Sequence, residues 1–157
     1  MPNLVEELAR VIFCQELQPA QLEVEIAESS LCYNFDDAIK QLHRLHKLGV
    51  RIALDDFGAG DCSLRRVRDL PIDTLKLDRH LVAQLPESSA DAAMVRCLIE
   101  LCREYGITVV AEGVETREQM RWLQANGCEY VQGYLLAHPM TAEDAGEFPR
   151  FFDWQQV

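Results

Sequence analysis

The chain has 157 residues, 48% hydrophobic and 26% charged, with 8 Gly and 6 Pro; this fits one globular domain and excludes disordered and collagen-like classes. Twenty-six acidic against 15 basic residues give a net charge of -11 with no Lys/Arg-rich run, which argues against binding DNA or RNA duplexes through their phosphates. Nowhere do about 18 apolar residues run together, so no membrane insertion is expected, and a complete eightfold barrel of about 250 residues does not fit this length.

The predicted elements follow in chain order. Leu4, Leu8, Val11 and Ile12 recur at helical spacing from Asn3 to Glu16, predicting an opening helix. Leu22 to Ile26 alternates strictly, a strand with Glu23 and Glu25 on one face. Phe35, Ile39, Leu42 and Leu45 predict a helix capped by Gly49, and the strand Val50–Asp55 follows. A short helix near Leu64–Asp69, a strand Ile72–Asp78 and a helix Ser89–Tyr105 closed by Gly106 come next. The strand Ile107–Ala111 then leads to a helix opened by a Thr116/Gln119 capping box and ended by Gly127. A short strand Glu129–Gln132 and a helix Thr141–Phe152 complete the pattern.

Five strand-helix units define an α/β fold with a parallel sheet. Two architectures compete: an incomplete (β/α) TIM-like barrel, or a five-stranded doubly wound sheet of flavodoxin type, which suits the length better. In the second, Asp55 would serve as a phosphoacceptor. Chemistry favours the barrel, because acidic residues stand at the carboxyl ends of four strands. Glu25 and Glu28, Asp55 and Asp56, Lys76 and Asp78, and Glu112 and Glu115 take those positions, and Gln132-Gly133-Tyr134 closes the fifth.

Parallel strands deliver these ends to one edge of the sheet. Packed carboxylates are unfavourable unless cations neutralise them, and an all-oxygen set suits Mg²⁺ or Mn²⁺ rather than zinc. Each member alone has an ordinary reading: Asp55-Asp56 as a helix cap before a glycine turn, Glu28 as a loop carboxylate, Glu115 as a helix-dipole partner. Lys76 between Leu75 and Leu77 resists such a reading, because a lysine on a buried strand needs a carboxylate partner. The four His are isolated, with His43 and His46 facing solvent, and Trp122 and Trp154 are packing residues. Six scattered Cys form no Cys-x-x-Cys, which suits a reducing cytoplasm, with Cys14, Cys97 and Cys102 as buried thiols in helices.

Glu25-Ile26-Ala27-Glu28-Ser29, Asp55-Asp56-Phe57-Gly58-Ala59-Gly60, Leu75-Lys76-Leu77-Asp78-Arg79, Val110 to Thr116 and Gln132-Gly133-Tyr134 resemble, in order, the signatures of the EAL domain, a bacterial cyclic di-GMP phosphodiesterase of signal transduction. The resemblance implies a modified eightfold barrel of which residues 1–157 are the C-terminal part. It implies that Glu25, Asp55, Asp56 and Glu112 bind two divalent cations and that Lys76 contacts the attacking water. It further implies that Glu28 holds the loop after Asp56, that Glu115 and Gln132 support the site, and that the product is linear pGpG. Two more family ligands, the glutamate of Glu-Ala-Leu and an asparagine on the next strand, are expected upstream of Met1. Gly60-Asp61-Cys62-Ser63 replaces the usual Gly-Tyr-Ser-Ser.

The 157 residues alone are therefore expected to hydrolyse poorly. Five units would also leave two strand edges and an apolar inner face open, to be covered by a second copy or by other domains of the parent. The alternative function is a non-catalytic module that binds cyclic di-GMP or a protein partner.

Overall fold

A computed structural model describes residues 4–31, 35–59 and 64–151. Cys32, the replaced loop Gly60–Ser63 and Trp154 lie outside them. Five strands form one sheet: β1 (Glu23–Ala27), β2 (Arg51–Phe57), β3 (Thr74–Leu77), β4 (Thr108–Glu112) and β5 (Tyr130–Gln132). Helices α1 (Leu4–Cys14), α2 (Phe35–Lys47), α3 (Leu64–Asp69), α4 (Arg79–Ala83), α5 (Ser89–Tyr105), α6 (Arg117–Ala125) and α7 (Ala142–Phe151) flank and connect them. The short α4 and the 3-10 turns Pro19–Gln21 and Glu28–Leu31 add to the expected set.

The strand order is β1-β2-β3-β4-β5, and every neighbouring pair is parallel. A flavodoxin-type sheet reverses direction to place helices on both faces. Here each connection steps one strand the same way, and because such crossovers are right-handed, the helices that connect the strands fall on one face. The result is the wall of a (β/α) barrel, and the doubly wound alternative is excluded.

The sequence places the helices by ordinary means. In α2, Leu42 and Leu45 are buried, acidic Asp36 and Asp37 occupy the first turn, and Arg44, His46 and Lys47 the last, matching the helix dipole. Gly49 takes φ +87° just beyond it, a left-handed conformation that glycine adopts without strain. In α5, Ser88 Oγ accepts from the Asp91 N–H, and Ala92, Val95, Leu98, Ile99 and Cys102 form the buried stripe. The Thr116/Gln119 capping box of α6 is present in full. These helices pack on the outward strand residues Ile52, Leu54, Leu75, Leu77, Val109 and Ala111, all within one core cluster.

The other face of the sheet overturns one expectation: it is polar, not apolar. Thr74 Oγ1 donates to Glu23 Oε1 at 2.7 Å and Arg51 Nη2 stands 3.6 Å from the same oxygen. Glu25 and Lys76 form the next layer, two residues further along β1 and β3. The thiol reading also needs correction, since Cys102 is buried but Cys14 and Cys97 are exposed. Both sit on the outward faces of their helices, where the apolar stripe does not reach.

Candidate metal centre

The site begins with an irregularity in β2. Leu54 pairs with Leu75 and Phe57 with Leu77, so three steps along β2 oppose two along β3. This is a β-bulge, a device common next to active sites. Strict alternation would send Asp55 inward and Asp56 outward. The extra residue turns both carboxylates toward the inner face and returns Phe57 to the core, where it is 2% exposed. Asp56 takes φ +55°, a conformation that aspartate tolerates better than most residues. The reading of Asp55-Asp56 as a helix cap is thereby replaced: they end a strand.

Glu112, at the end of β4, completes the cluster. Asp55, Asp56 and Glu112 each offer an oxygen within 4.8 Å of the others. Lys76 reaches into the cluster from β3, its Nζ 2.8 Å from Glu112 Oε1, 2.9 Å from Glu25 Oε1 and 3.1 Å from Asp55 Oδ1. Burial would lower its pKa, but the contacts to Glu112, Glu25 and Asp55 outweigh burial and hold the ammonium well above the ordinary lysine range. With no cation bound, the Lys76 ammonium offsets one of the converging negative charges.

Glu25 stands apart from the three-carboxylate group. It is joined to it through Lys76 and remains half exposed. Glu28 is 2% exposed, and its Oε2 accepts the Gly58 N–H at 2.8 Å. This ties the segment after Asp56 to the end of β1. Gly58 (φ +101°) has no room for a Cβ, which would overlap Leu81. Glu115 and Gln132 are exposed and line a cavity of about 450 Å³ together with Asp56 and Glu112. Gln132 pairs with Glu112 in the sheet register, and its carbonyl accepts the Val114 N–H.

Sequence reasoning missed two features. Asp78 is buried and caps α4 by accepting the His80 N–H at 2.8 Å, and the same Oδ1 lies 2.6 Å from His80 Nδ1. His80 is therefore held rather than isolated. A buried aspartate one residue before a helix is legible as an N-cap, but the helix has only five residues and left no periodic trace. The Glu23–Thr74–Arg51 cluster beneath the site was also unforeseen.

Whether these residues suit divalent cations is decided at Asp55. Its Oδ1 is fully buried, and its neighbour is the Lys76 ammonium at 3.1 Å, with no well-formed hydrogen bond among the described residues. A buried carboxylate oxygen held by a single shared ammonium is under-compensated. With oxygens from Asp56 and Glu112 nearby, and neither His nor Cys in the group, the donor set fits hard cations.

Known proteins resemble this chain over most of its length. The family profile of the EAL domain matches residues 1–139. The chain belongs to the EAL domain family. It is 40% identical over 150 residues to the cyclic di-GMP phosphodiesterase NbdA of Pseudomonas aeruginosa, covering 96% of this chain and 19% of that protein. The structure of the PaMucR phosphodiesterase in complex with c-di-GMP superposes with a TM-score of 0.85 at 38% identity, over 91% of this chain and 58% of that one. The manganese/cyclic di-GMP complex of Klebsiella pneumoniae BlrP1 gives 0.83 at 37% identity, over 88% and 36%. The chain spans about a fifth of the length of the curated relatives it matches. No helix among the described residues is long and apolar enough to cross a membrane.

Proposed function

We propose that this EAL-family chain carries the metal site of a cytoplasmic phosphodiesterase that hydrolyses cyclic di-GMP to linear pGpG with Mg²⁺ or Mn²⁺. The observation that carries the reading is the bulge in β2, which spends an extra residue to turn Asp55 and Asp56 toward Glu112. In a sheet built only for packing, such a bulge would gather like charges to no purpose.

Asp55, Asp56 and Glu112 would hold the cations, with Glu25 brought in from β1. Bound there, two divalent ions supply Lewis-acid polarisation of the phosphodiester and activation of water. Lys76, with its Nζ 2.8 to 3.1 Å from Glu112, Glu25 and Asp55, is placed to contact the attacking water or to steer its proton. Glu28 fixes the backbone after Asp56 by accepting the Gly58 N–H, which keeps the left-handed turn from relaxing. Glu115 and Gln132 wall the cavity in which the substrate would lie. In-line attack by water would form one phosphorus–oxygen bond as one of the ring's breaks, with the leaving oxygen taking up a proton, so that a linear dinucleotide remains.

Structural neighbours are longer: the EAL domain of Mycobacterium smegmatis DcpA is matched over 96% of this chain but 68% of its own. Residues 1–157 are read as the C-terminal part of the domain, with remaining ligands upstream. The test is hydrolysis of cyclic di-GMP by the full-length protein carrying this chain. Turnover with Mn²⁺, abolished by chelator and by Asp55→Asn or Glu112→Gln, is the expected result; undiminished turnover by either variant refutes the assignment.

A further inference from the structure

The cavity beside the metal centre has an uneven charge distribution. Among its lining residues, Asp56, Asp78, Glu112 and Glu115 are acidic, whereas Arg79 and His80 are basic. Asp78 is engaged with His80. Arg44 pairs with Glu6, Arg51 with Glu23 and Arg68 with Asp69. Arg79, exposed like the similarly unpaired Arg10, Arg103 and Arg121, is the arginine on the wall of this cavity. Its guanidinium makes no hydrogen bond or ion pair among the described residues, in a chain with 26 acidic residues.

The stem of Arg79 is nevertheless held in place. The preceding Asp78 caps α4 and is 6% exposed. Opposite it, Gly113 packs so closely that a Cβ there would lie 2.5 Å from Arg79 Cβ. The loop after Glu112 thus leaves out a side chain to let Arg79 approach. A fixed stem with an uncommitted cationic head, on the wall of an acidic cavity, is arranged for an anion that arrives from outside.

A cyclic dinucleotide carries two phosphodiester anions, and the carboxylate-held cations can neutralise only the one being cleaved. The other must enter the same acidic cavity. We infer that Arg79 binds the phosphodiester that is not cleaved, so that this residue selects a two-phosphate ligand over a simple diester. The inference rests on the phosphodiesterase reading and adds a specificity residue to it. The guanidinium fork matches phosphate oxygens bidentately, a geometry that lysine reproduces only as a point charge.

The experiment compares two substrates in the full-length protein with saturating Mn²⁺: cyclic di-GMP, with two phosphodiesters, and bis(p-nitrophenyl) phosphate, with one. Arg79→Ala is expected to raise KM for cyclic di-GMP about tenfold to a hundredfold with little change in kcat, the signature of lost uniform binding. KM for the single diester is expected to stay unchanged, and Arg79→Lys to recover part of the loss. An equal rise on both substrates, or no rise on either, overturns the inference while leaving the phosphodiesterase reading intact. A wild-type protein that neither binds nor cleaves cyclic di-GMP overturns both.

Discussion

Replacing Asp56 by Asn separates the electrostatic tension of the site from its backbone geometry. Asparagine tolerates φ +55° as readily as aspartate, so the bulge survives and only a charge is lost. In the metal-free chain that charge opposes Asp55 and Glu112, whose oxygens lie within 4.8 Å. At that separation a like-charge pair costs about 0.9 kcal/mol at the dielectric of water and about 3.5 kcal/mol at an effective value of about 20. Asp56 is exposed and Lys76 offsets part of the field, so the lower end applies, and two pairs together give about 1 to 2 kcal/mol. Urea unfolding of the 157-residue chain in EDTA at low salt should therefore show Asp56→Asn more stable than wild type by that amount. Millimolar Mn²⁺ should reverse the order, because a ligand at a hundredfold excess over its Kd stabilises by about 2.7 kcal/mol and the variant has lost a charged ligand. A variant that is less stable in EDTA, or that Mn²⁺ stabilises as strongly as wild type, would refute the reasoning.

Other outcomes follow from the same geometry. Glu28→Ala leaves the Gly58 N–H without its carboxylate, so amide exchange at Gly58 should accelerate with a stability loss of about 1 to 3 kcal/mol; unchanged protection contradicts the anchoring role. Cys14 and Cys97 should react with a maleimide in the native chain, whereas Cys102 and Cys128 should react only on unfolding. Burial pushes the Cys102 thiol up from 9.0 to about 11. Its folded pKa is the higher one, so native stability is fully present below pH 9.0 and falls as pH rises toward 11; a Cys102→Ala variant should lose that slope. Expressed alone, the 157 residues should self-associate through the outer edges of β1 and β5 and show negligible hydrolysis. Light scattering that reports a monomer at all concentrations, or full turnover with Mn²⁺, would contradict this.

The strand ends were legible because hydrophobic alternation stops at a charged residue in each case, and the parallel βα pattern dictates that such ends share one edge. That logic located Lys76 and Glu112 without any knowledge of side-chain positions. It did not reveal the bulge, since one extra residue between Leu54 and Phe57 leaves the apolar pattern almost unchanged while reversing the direction of Asp56. Nor did it expose the polar inner face. Glu23, Arg51 and Thr74 are far apart in sequence, and only the strand order β1-β2-β3 brings them together. The choice between open sheet and barrel rested on that same order, which no local pattern encodes.

The central claim is that the bulge in β2 and the end of β4 together form a divalent-cation site. Anomalous diffraction at the manganese absorption edge, from crystals grown in Mn²⁺, tests it directly. A manganese peak coordinated by Asp55, Asp56 and Glu112 is expected, with Asp55 Oδ1 bonded to the metal in addition to its ion pair with Lys76. Manganese bound elsewhere, with these three carboxylates unoccupied at saturating metal, would contradict it.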